Sequence, residues 1–342
     1  MDLTRAEADE LLGAWALDAL PDELEGHVDA AVLADPTLAA TAAELQAVAA
    51  LLGSAESATA PTALRDRVLA AARRRRAPGS STVEPTTPPG ALGHQVAALA
   101  DLLAGLDGDA WSAPTVTGWT VRELVAHLVV VEDYTAAVLG IGRFTPPPGT
   151  EHEHAAMTEP FVPELAALPT ADLLARWRAA ATAVVAHVAT LADDGLADRV
   201  QFHGLDVSVR SLVLMRTFEV WTHADDVRRA VGRPTEDPPP PVLALMTGLA
   251  VAALPLGMAM AGRSGAGRTA RVVLTGPGGG AWVQHLGVGE APGEPDLVLV
   301  ADAVDFCRLA AKRLDPRDVR HHVTGDGDLA ADLLAGARVF AA

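Results

Sequence analysis

The stretch ADLLARWRAAATAVVAHVATL, residues 171–191, decides the fold class of the middle of the chain. Its apolar residues recur every three or four positions, which is the period of one face of an α-helix. They are Leu174, Trp177, Ala181, Val184, Val188 and Leu191. A seam of this length is typical of an antiparallel four-helix bundle, in which every helix turns one apolar face to a shared core.

Three more segments with the helical period accompany this stretch, at residues 92–106, 121–139 and 209–231. Thr120 and Glu123 stand three positions apart at the start of the second, and this spacing predicts a capping box there. The sequence therefore predicts a four-helix bundle domain over residues 91–237.

After the prolines at 238–241, the pattern changes to short β-branched runs. We predict strands at 271–275, 281–286, 297–300 and 319–324, and helices at 303–314 and 329–340. The glycine-rich residues 276–280 suit a hairpin turn between the first two strands. Residues 238–342 are predicted to form a small α+β domain.

An uncharged run at 242–262 has about the length of a helix that crosses a bilayer. It contains Gly248, Pro255 and Gly257 and has no Trp or Tyr at its ends, where membrane helices are enriched in both. We interpret the run as a buried helix of the α+β domain.

The N-terminal block is acidic and helical. Residues 1–60 carry twelve acidic residues against one basic residue, Arg5. Four short apolar patterns separated by prolines predict a small helical domain over residues 1–76. Residues 77–90, APGSSTVEPTTPPG, are rich in Pro and are predicted to be a linker without helix. The fold class is therefore multidomain and mainly α.

Overall composition narrows the function classes. The chain has 44 Asp and Glu against 26 Lys and Arg, a formal charge of -18 whose field repels phosphate backbones, so we expect no nucleic-acid partner. The single cysteine, Cys307, excludes an intramolecular disulfide and a cluster of thiolates around zinc. Without a signal-peptide pattern at the start, we expect a cytoplasmic protein with no membrane partner.

Candidate metal ligands lie in RTFEVWTHADDV, residues 216–227. Glu219 and His223 are four positions apart and share one helix face. His127, among apolar neighbours in another helix of the bundle, is the candidate third ligand. Two imidazoles and a carboxylate leave one coordination position open, as in catalytic zinc sites. The alternative is a core histidine at 127 and a surface pair at 219 and 223.

Two more residues on that helix are candidates to hydrogen-bond the ligands. Asp226 lies one turn beyond His223, and Arg216 lies one turn before Glu219. The run EHEH at 151–154 also contains ligand types, but it follows a proline-rich segment and is interpreted as a solvated loop.

Three motifs together resemble the mycothiol-dependent maleylpyruvate isomerase family. They are GWTVRELVAHL at 118–128, FEVWTHADDV at 218–227 and GDGDLA at 325–330. The resemblance implies a DinB-like bundle in which His127, Glu219 and His223 hold a divalent metal, usually zinc. It also implies mycothiol as the thiol cosubstrate and a C-terminal domain similar to sterol carrier proteins.

A second resemblance concerns the acidic block. LLGAWALDALP at 11–21, DPTL at 35–38 and PTALRDRVL at 61–69 look like the sigma-binding domain of anti-sigma factors. Many such domains bind zinc through two cysteines, but Ala31 and Ala34 stand at those positions, so this copy resembles the zinc-free members.

A bundle this short buries little apolar surface, and an acidic one favours a basic helical partner. Residues 1–76 are therefore predicted to bind a sigma factor. Trp15, Leu20 and Leu24 are the predicted partner-binding anchors, because large apolar residues dominate such interfaces.

These observations lead first to a cytoplasmic anti-sigma regulator whose metal-binding domain senses a small molecule. The alternative is a mycothiol-dependent metalloenzyme, an isomerase or a thiol transferase, that uses a metal-activated thiolate. A catalytically inactive scaffold is the third hypothesis.

Overall fold

The computed structural model describes residues 3–17, 19–55, 86–150, 152–287 and 294–340. The chain forms two compact units, Met1–Thr82 and Val83–Ala342. Helices predominate, and strands within the described residues form two small sheets. The predicted fold class, a mainly helical chain of more than one domain, is confirmed.

The first unit contains the helices α1 (Arg5–Ala16), α2 (Asp22–Ala34) and α3 (Pro36–Ala55). Thr4 and Glu7 form a capping box at the start of α1. The helices enclose a small buried core of Ala8, Leu12, Val28, Leu38 and Ala42. The helix predicted after Pro61 lies outside the described residues.

The second unit begins with a bundle of four long helices. These are α4 (Pro88–Ala104), α5 (Val121–Val138), α8 (Thr170–Val188) and α10 (Val209–Ala230). The short helices α6 (His154–Thr158), α7 (Val162–Ala166) and α9 (Asp193–Ala197) lie in the connections. Helix α4 packs against α8 and α10, and α5 packs against α8.

Helix α4 begins at Pro88, inside the segment predicted as a linker. The hydroxyl of Thr87 accepts a hydrogen bond from the backbone N–H of Gly90 at 3.2 Å and caps the helix. Proline is tolerated in the first turn because an N–H there would have no partner within the helix. The prediction that residues 77–90 contain no helix is therefore wrong for residues 88–90.

The other bundle helices follow the predicted pattern closely. The capping box at the start of α5 is confirmed, with Thr120 and Glu123 bonded to each other's backbone N–H. On α8, Leu173 is buried and the predicted Leu174 is half-buried at the edge of the core. The remaining α8 residues of the predicted seam, Trp177, Ala181, Val184 and Val188, are buried.

A β-hairpin that the sequence analysis missed joins α9 to α10. Strands β1 (Arg199–Phe202) and β2 (Leu205–Ser208) pair antiparallel, with Phe202 opposite Leu205. His203 and Gly204 form the two-residue turn, and both have positive φ, at 49° and 73°. Two consecutive positive φ values are characteristic of a type I′ turn.

The C-terminal part of the second unit is an α+β domain, as predicted. Its strands are β3 (Thr269–Thr275), β4 (Gly280–His285), β5 (Leu297–Asp302) and β6 (His321–Gly325). They form a sheet of order β4-β3-β5-β6, in which only β3 and β5 are parallel. The helices are α11 (Pro240–Ala252), α12 (Leu254–Met260), α13 (Ala303–Ala310) and α14 (Gly327–Gly336).

The uncharged run is divided between α11 and α12 rather than forming one helix. Within the described residues, no single helix has both the length and the apolar composition needed to cross a membrane. The pair α11 and α12 together has the length and apolar composition of a membrane-crossing segment, but the two helices are bent by 48° relative to each other.

The bundle and the α+β domain share a core. Phe218 and Trp221 of α10 are buried in the same cluster as Leu243 of α11 and Phe306 of α13. Helix α10 therefore contributes to both halves of the second unit. Residues on its other faces point into the bundle, where the candidate metal ligands lie.

Candidate metal centre

Helices α5 and α10 supply the three predicted ligands. His127 lies in the middle of α5 and is buried. Glu219 and His223 lie one turn apart on α10, as their spacing predicts. One donor atom from each residue lies within 4.8 Å of the other two. Nε2 of His127 is 3.2 Å from Oε1 of Glu219, and Nε2 of His223 is 4.0 Å from the same oxygen.

The hydrogen bonds of His127 direct its free nitrogen to the centre. Thr158 of α6 has one hydroxyl proton, which it donates to the backbone carbonyl of His154 at 2.9 Å. Its oxygen therefore accepts from Nδ1 of His127, which is 3.1 Å away. In a neutral imidazole this leaves the lone pair on Nε2. Burial lowers the pKa of His127 to about 4, even though Glu219 acts in the other direction, so the ring is neutral at pH 7.

His223 is oriented in the same manner. Its Nδ1 donates to Oδ2 of Asp226 at 3.1 Å, which leaves Nε2 for the centre. The guanidinium of Arg313, from the segment after α13, donates to both oxygens of Asp226 at 2.8 and 2.7 Å. Burial raises the pKa of Asp226, but the bonds from His223 and Arg313 outweigh it and lower the pKa to about 2. A charged carboxylate therefore holds His223 at pH 7.

Arg216 holds Glu219, the carboxylate ligand. Its side chain is completely buried on α10 and bonds the carboxylate of Glu219. Its other terminal nitrogen donates to Oε1 of Glu132 on α5 at 2.7 Å. Burial opposes the charge of Glu219, but Arg216 and the neighbouring histidines lower the pKa of its carboxyl group well below the usual value. Glu219 is therefore an anion, and one oxygen faces the histidines.

Two further histidines complete the cluster, and the sequence analysis assigned neither of them to it. Nε2 of His154 lies 3.3 Å from Nε2 of His127 and 3.4 Å from Oε1 of Glu219. Nδ1 of His154 lies 3.0 Å from Nε2 of His203 in the hairpin turn. The interpretation of residues 151–154 as a solvated loop is therefore wrong for His154, whose side chain is 21% exposed.

A sequence signal for His203 did exist. Val200 and Phe202 alternate with polar residues before His203-Gly204, and Leu205 and Val207 alternate after it. Alternation on both sides of a two-residue turn ending in Gly predicts a hairpin. For His154 there was no comparable signal, because it enters the centre from a connection whose path the helical period does not fix.

The donor set fits a divalent ion of the zinc type. Imidazole nitrogens and a carboxylate oxygen are zinc donors, and a neutral His127 beside the ionised Glu219 is in the state that binds metal. With bonds of about 2.0–2.1 Å, the ligand atoms of a tetrahedral site lie about 3.3 Å apart. The separation of 3.2 Å from Glu219 to His127 matches this value, and the separation of 4.0 Å from Glu219 to His223 is longer.

The predicted partner-binding residues lie in the first unit. Trp15 and Leu20 pack half-buried against its core, and the indole N–H of Trp15 donates to Asp29 at 2.9 Å. Leu24 is half-buried as well. Leu33 is more exposed than any of these, at 91%.

Comparison with known proteins concerns mainly the bundle. Residues 92–228 match the family model described as the mycothiol maleylpyruvate isomerase N-terminal domain. Two uncharacterized proteins of Mycobacterium tuberculosis, from strains CDC 1551 and H37Rv, are each 31% identical over 135 residues. The alignment covers 38% of this chain and 51% of the relative, so the chain spans about half the length of the curated relatives it matches.

Two solved structures are also similar to the chain. They are crystal structures of the mycothiol-dependent maleylpyruvate isomerase and of a mutant of it, with TM-scores of 0.46 and 0.48. Each is 18% identical and covers 68% of this chain and 91% of the solved one. The match to the family model supports the predicted resemblance for residues 92–228, which contain all three predicted ligands.

Proposed function

We propose that the chain is a thiol-dependent metalloenzyme, an isomerase or a thiol transferase, that uses mycothiol. His127, Glu219 and His223 are the proposed ligands of a divalent ion, with zinc as the expected metal. The observation that carries the proposal is the convergence of three donors from two helices, inside the region that matches the mycothiol isomerase domain family. These findings favour the enzyme over the regulator that the sequence analysis placed first.

A bound zinc ion would stabilise the thiolate form of a coordinated thiol at neutral pH. Residues around the ligands hold them in the orientation and charge state that metal binding requires. Asp226 and Thr158 fix the rings of His223 and His127, and Arg216 keeps the carboxylate of Glu219 charged and in place. Partners of this kind typically change metal affinity by 10- to 100-fold.

The thiolate chemistry that suits an isomerase needs no other reactant. A thiolate adds to a conjugated double bond, rotation occurs about the single bond thus formed, and loss of the thiolate restores the double bond. The atoms and electrons of substrate and product are the same. A transferase would instead keep the new carbon–sulfur bond.

The sigma-factor partner remains a separate prediction. The matched family domain begins at residue 92, so it does not extend to residues 1–76. The anti-sigma role predicted for those residues gains no support from the match.

The first test measures the metal. The purified full chain should contain about one divalent ion, and His223→Ala should retain less of it after dialysis against a chelator, because the variant has lost one of the three proposed ligands. His187→Ala is the matched control, since His187 lies at the end of α8 and is not a member of the cluster. Equal metal content in wild type and His223→Ala would refute the proposed ligand set.

The second test measures the thiol. Mycothiol added to the cobalt-substituted chain should produce a thiolate-to-cobalt charge-transfer band, whereas S-methylated mycothiol should not. If the spectrum of the cobalt-loaded chain does not change at millimolar mycothiol, the thiol-dependent function is contradicted. The proposal of a metal site would still stand.

A further inference from the structure

We propose that His154 is a fourth protein ligand of this centre and that it occupies the position a thiol takes. The proposal rests on the metal site of the proposed function and adds a ligand to it. In the resting state the ion would be held by three imidazoles and one carboxylate, with no position open.

The distances place His154 among the ligands. Its Nε2, Nε2 of His127 and Oε1 of Glu219 form a triangle with edges of 3.2, 3.3 and 3.4 Å. These edges match the face of a tetrahedral zinc site, for which bonds of about 2.0–2.1 Å give ligand separations of about 3.3 Å. His154 therefore satisfies the geometry more closely than His223, whose Nε2 lies 4.0 Å from the same oxygen.

The hydrogen bonds around the three histidines follow one pattern. Each ring turns Nε2 to the centre and has a partner on Nδ1, as ligating histidines almost always do. The partner is Thr158 for His127, Asp226 for His223 and His203 for His154. A histidine that merely packed beside the site would not need the same arrangement.

His203 is held in position beside His154 by contacts with the bundle and with its own hairpin. Its backbone N–H donates to the phenolic oxygen of Tyr134 on α5 at 3.1 Å, which fastens the hairpin turn to the bundle. Its ring meets the ring of His154 edge-on, with centroids 4.8 Å apart. Its Nδ1 is buried and has no hydrogen-bond partner within the described residues. Within the described residues, the ring of His203 therefore forms its hydrogen bond with His154 alone.

His154 is also the ligand best suited to leave. It is the first residue of the five-residue helix α6, whereas the other ligands lie inside long helices. Its side chain is 21% exposed, against 3% for His127 and 10% for His223. A bound thiolate would take the position that Nε2 of His154 holds, His154 would leave, and the thiol proton would pass to solvent.

The test compares His154→Ala with His152→Ala in the full chain. His152 is an exposed histidine two positions earlier in the same connection. Zinc affinity is measured by competition with a chromophoric chelator, and mycothiol affinity from the charge-transfer band of the cobalt-loaded chain. Loss of a ligand that also competes with the thiol should change the two affinities in opposite directions.

We expect His154→Ala to weaken zinc binding by about 10-fold or more, since removing a ligand should cost at least as much as removing a ligand's hydrogen-bond partner, and to tighten mycothiol binding. His152→Ala should change neither. His203→Phe retains His154 but removes its partner, and should weaken zinc binding by about 10-fold. This second variant keeps the test valid if His154→Ala folds poorly.

The outcomes separate this proposal from the proposed function. A wild-type chain that binds no metal refutes both. A wild-type chain that binds zinc and mycothiol, with His154→Ala binding both equally well, refutes only the fourth ligand. Weaker mycothiol binding in His154→Ala also overturns it, because His154 would then assist the thiol instead of competing with it.

Discussion

Replacing Arg216 with Met should destabilise the bundle strongly, since the arginine neutralises the buried carboxylate of Glu132 and the half-buried carboxylate of Glu219. Its side chain and that of Glu132 are 0% and 1% exposed, and their closest atoms are 2.7 Å apart. Breaking a buried pair by removing one partner costs about 3–5 kcal/mol, because the remaining charge stays in a medium of low polarity. Burial already raises the pKa of Glu132, and without Arg216 this carboxyl group would take up a proton.

A pair on the surface provides the matched control. Arg176 on α8 bonds Asp133 on α5 at 2.9 Å, but the side chains are 52% and 33% exposed. Arg176→Met should therefore cost less than about 1 kcal/mol. Both pairs join a bundle helix to α5, so the difference between the variants measures the effect of burial.

The assay is equilibrium unfolding in urea of the metal-free full chain with a chelator present, followed by circular dichroism. Adding Glu132→Leu to Arg216→Met should restore part of the lost stability, because the variant no longer buries an unpaired acid at position 132. If Arg216→Met and Arg176→Met lower the unfolding free energy equally, the argument from burial is refuted.

Three further predictions concern packing, ligand orientation and pH. Gly257→Ala should destabilise the chain by about 1–3 kcal/mol, because the added Cβ would lie 1.9 Å from a backbone oxygen of α14. Gly248→Ala should stabilise the chain by about 0.5–1 kcal/mol, because its added Cβ meets nothing within 4 Å. Thermal unfolding measures both effects. Thr158→Val should weaken zinc binding by about 10- to 100-fold, measured by chelator competition, because Nδ1 of His127 loses its acceptor; unchanged affinity would contradict the assigned orientation. The pKa of Asp226 is lowered to about 2 in the folded chain, so the charged carboxylate stabilises the fold fully above its unfolded pKa of about 3.9. This stabilisation is lost as pH falls towards 2. In Asp226→Asn, the unfolding free energy should lack this part of its decrease between pH 4 and pH 2.

The bundle could be predicted from sequence because the patterns that define its helices involve residues close together in the chain. The period of three or four residues along α8 depends only on which face of one helix is buried. The spacing of Glu219 and His223 likewise requires only that α10 be a helix. The capping box at Thr120 concerns atoms three residues apart.

The rest of the site depends on contacts between distant segments, which no local period encodes. His154 reaches Glu219 across 65 positions of sequence, through a connection with short helices and a proline-rich loop. Glu132 was not singled out because an acidic residue on an amphipathic helix is usually exposed. Its burial follows from Arg216, which lies 84 positions away in sequence.

The linker prediction was wrong for a different reason. A run of Pro and Gly was taken to exclude helix throughout residues 77–90. Pro88 and Pro89 occupy the first turn of α4, where a fixed φ and a missing N–H favour a helix start. The position of a proline within a helix determines its effect, and composition alone does not contain that information.

The proposed metal centre is tested most directly by X-ray absorption at the zinc edge of the zinc-loaded full chain, without and then with mycothiol. We expect only nitrogen and oxygen ligands around the zinc, at about 2.0–2.1 Å, and we expect mycothiol to replace one nitrogen by a sulfur at about 2.3 Å. A chain that does not retain zinc, or a spectrum without sulfur at saturating mycothiol, would contradict this expectation.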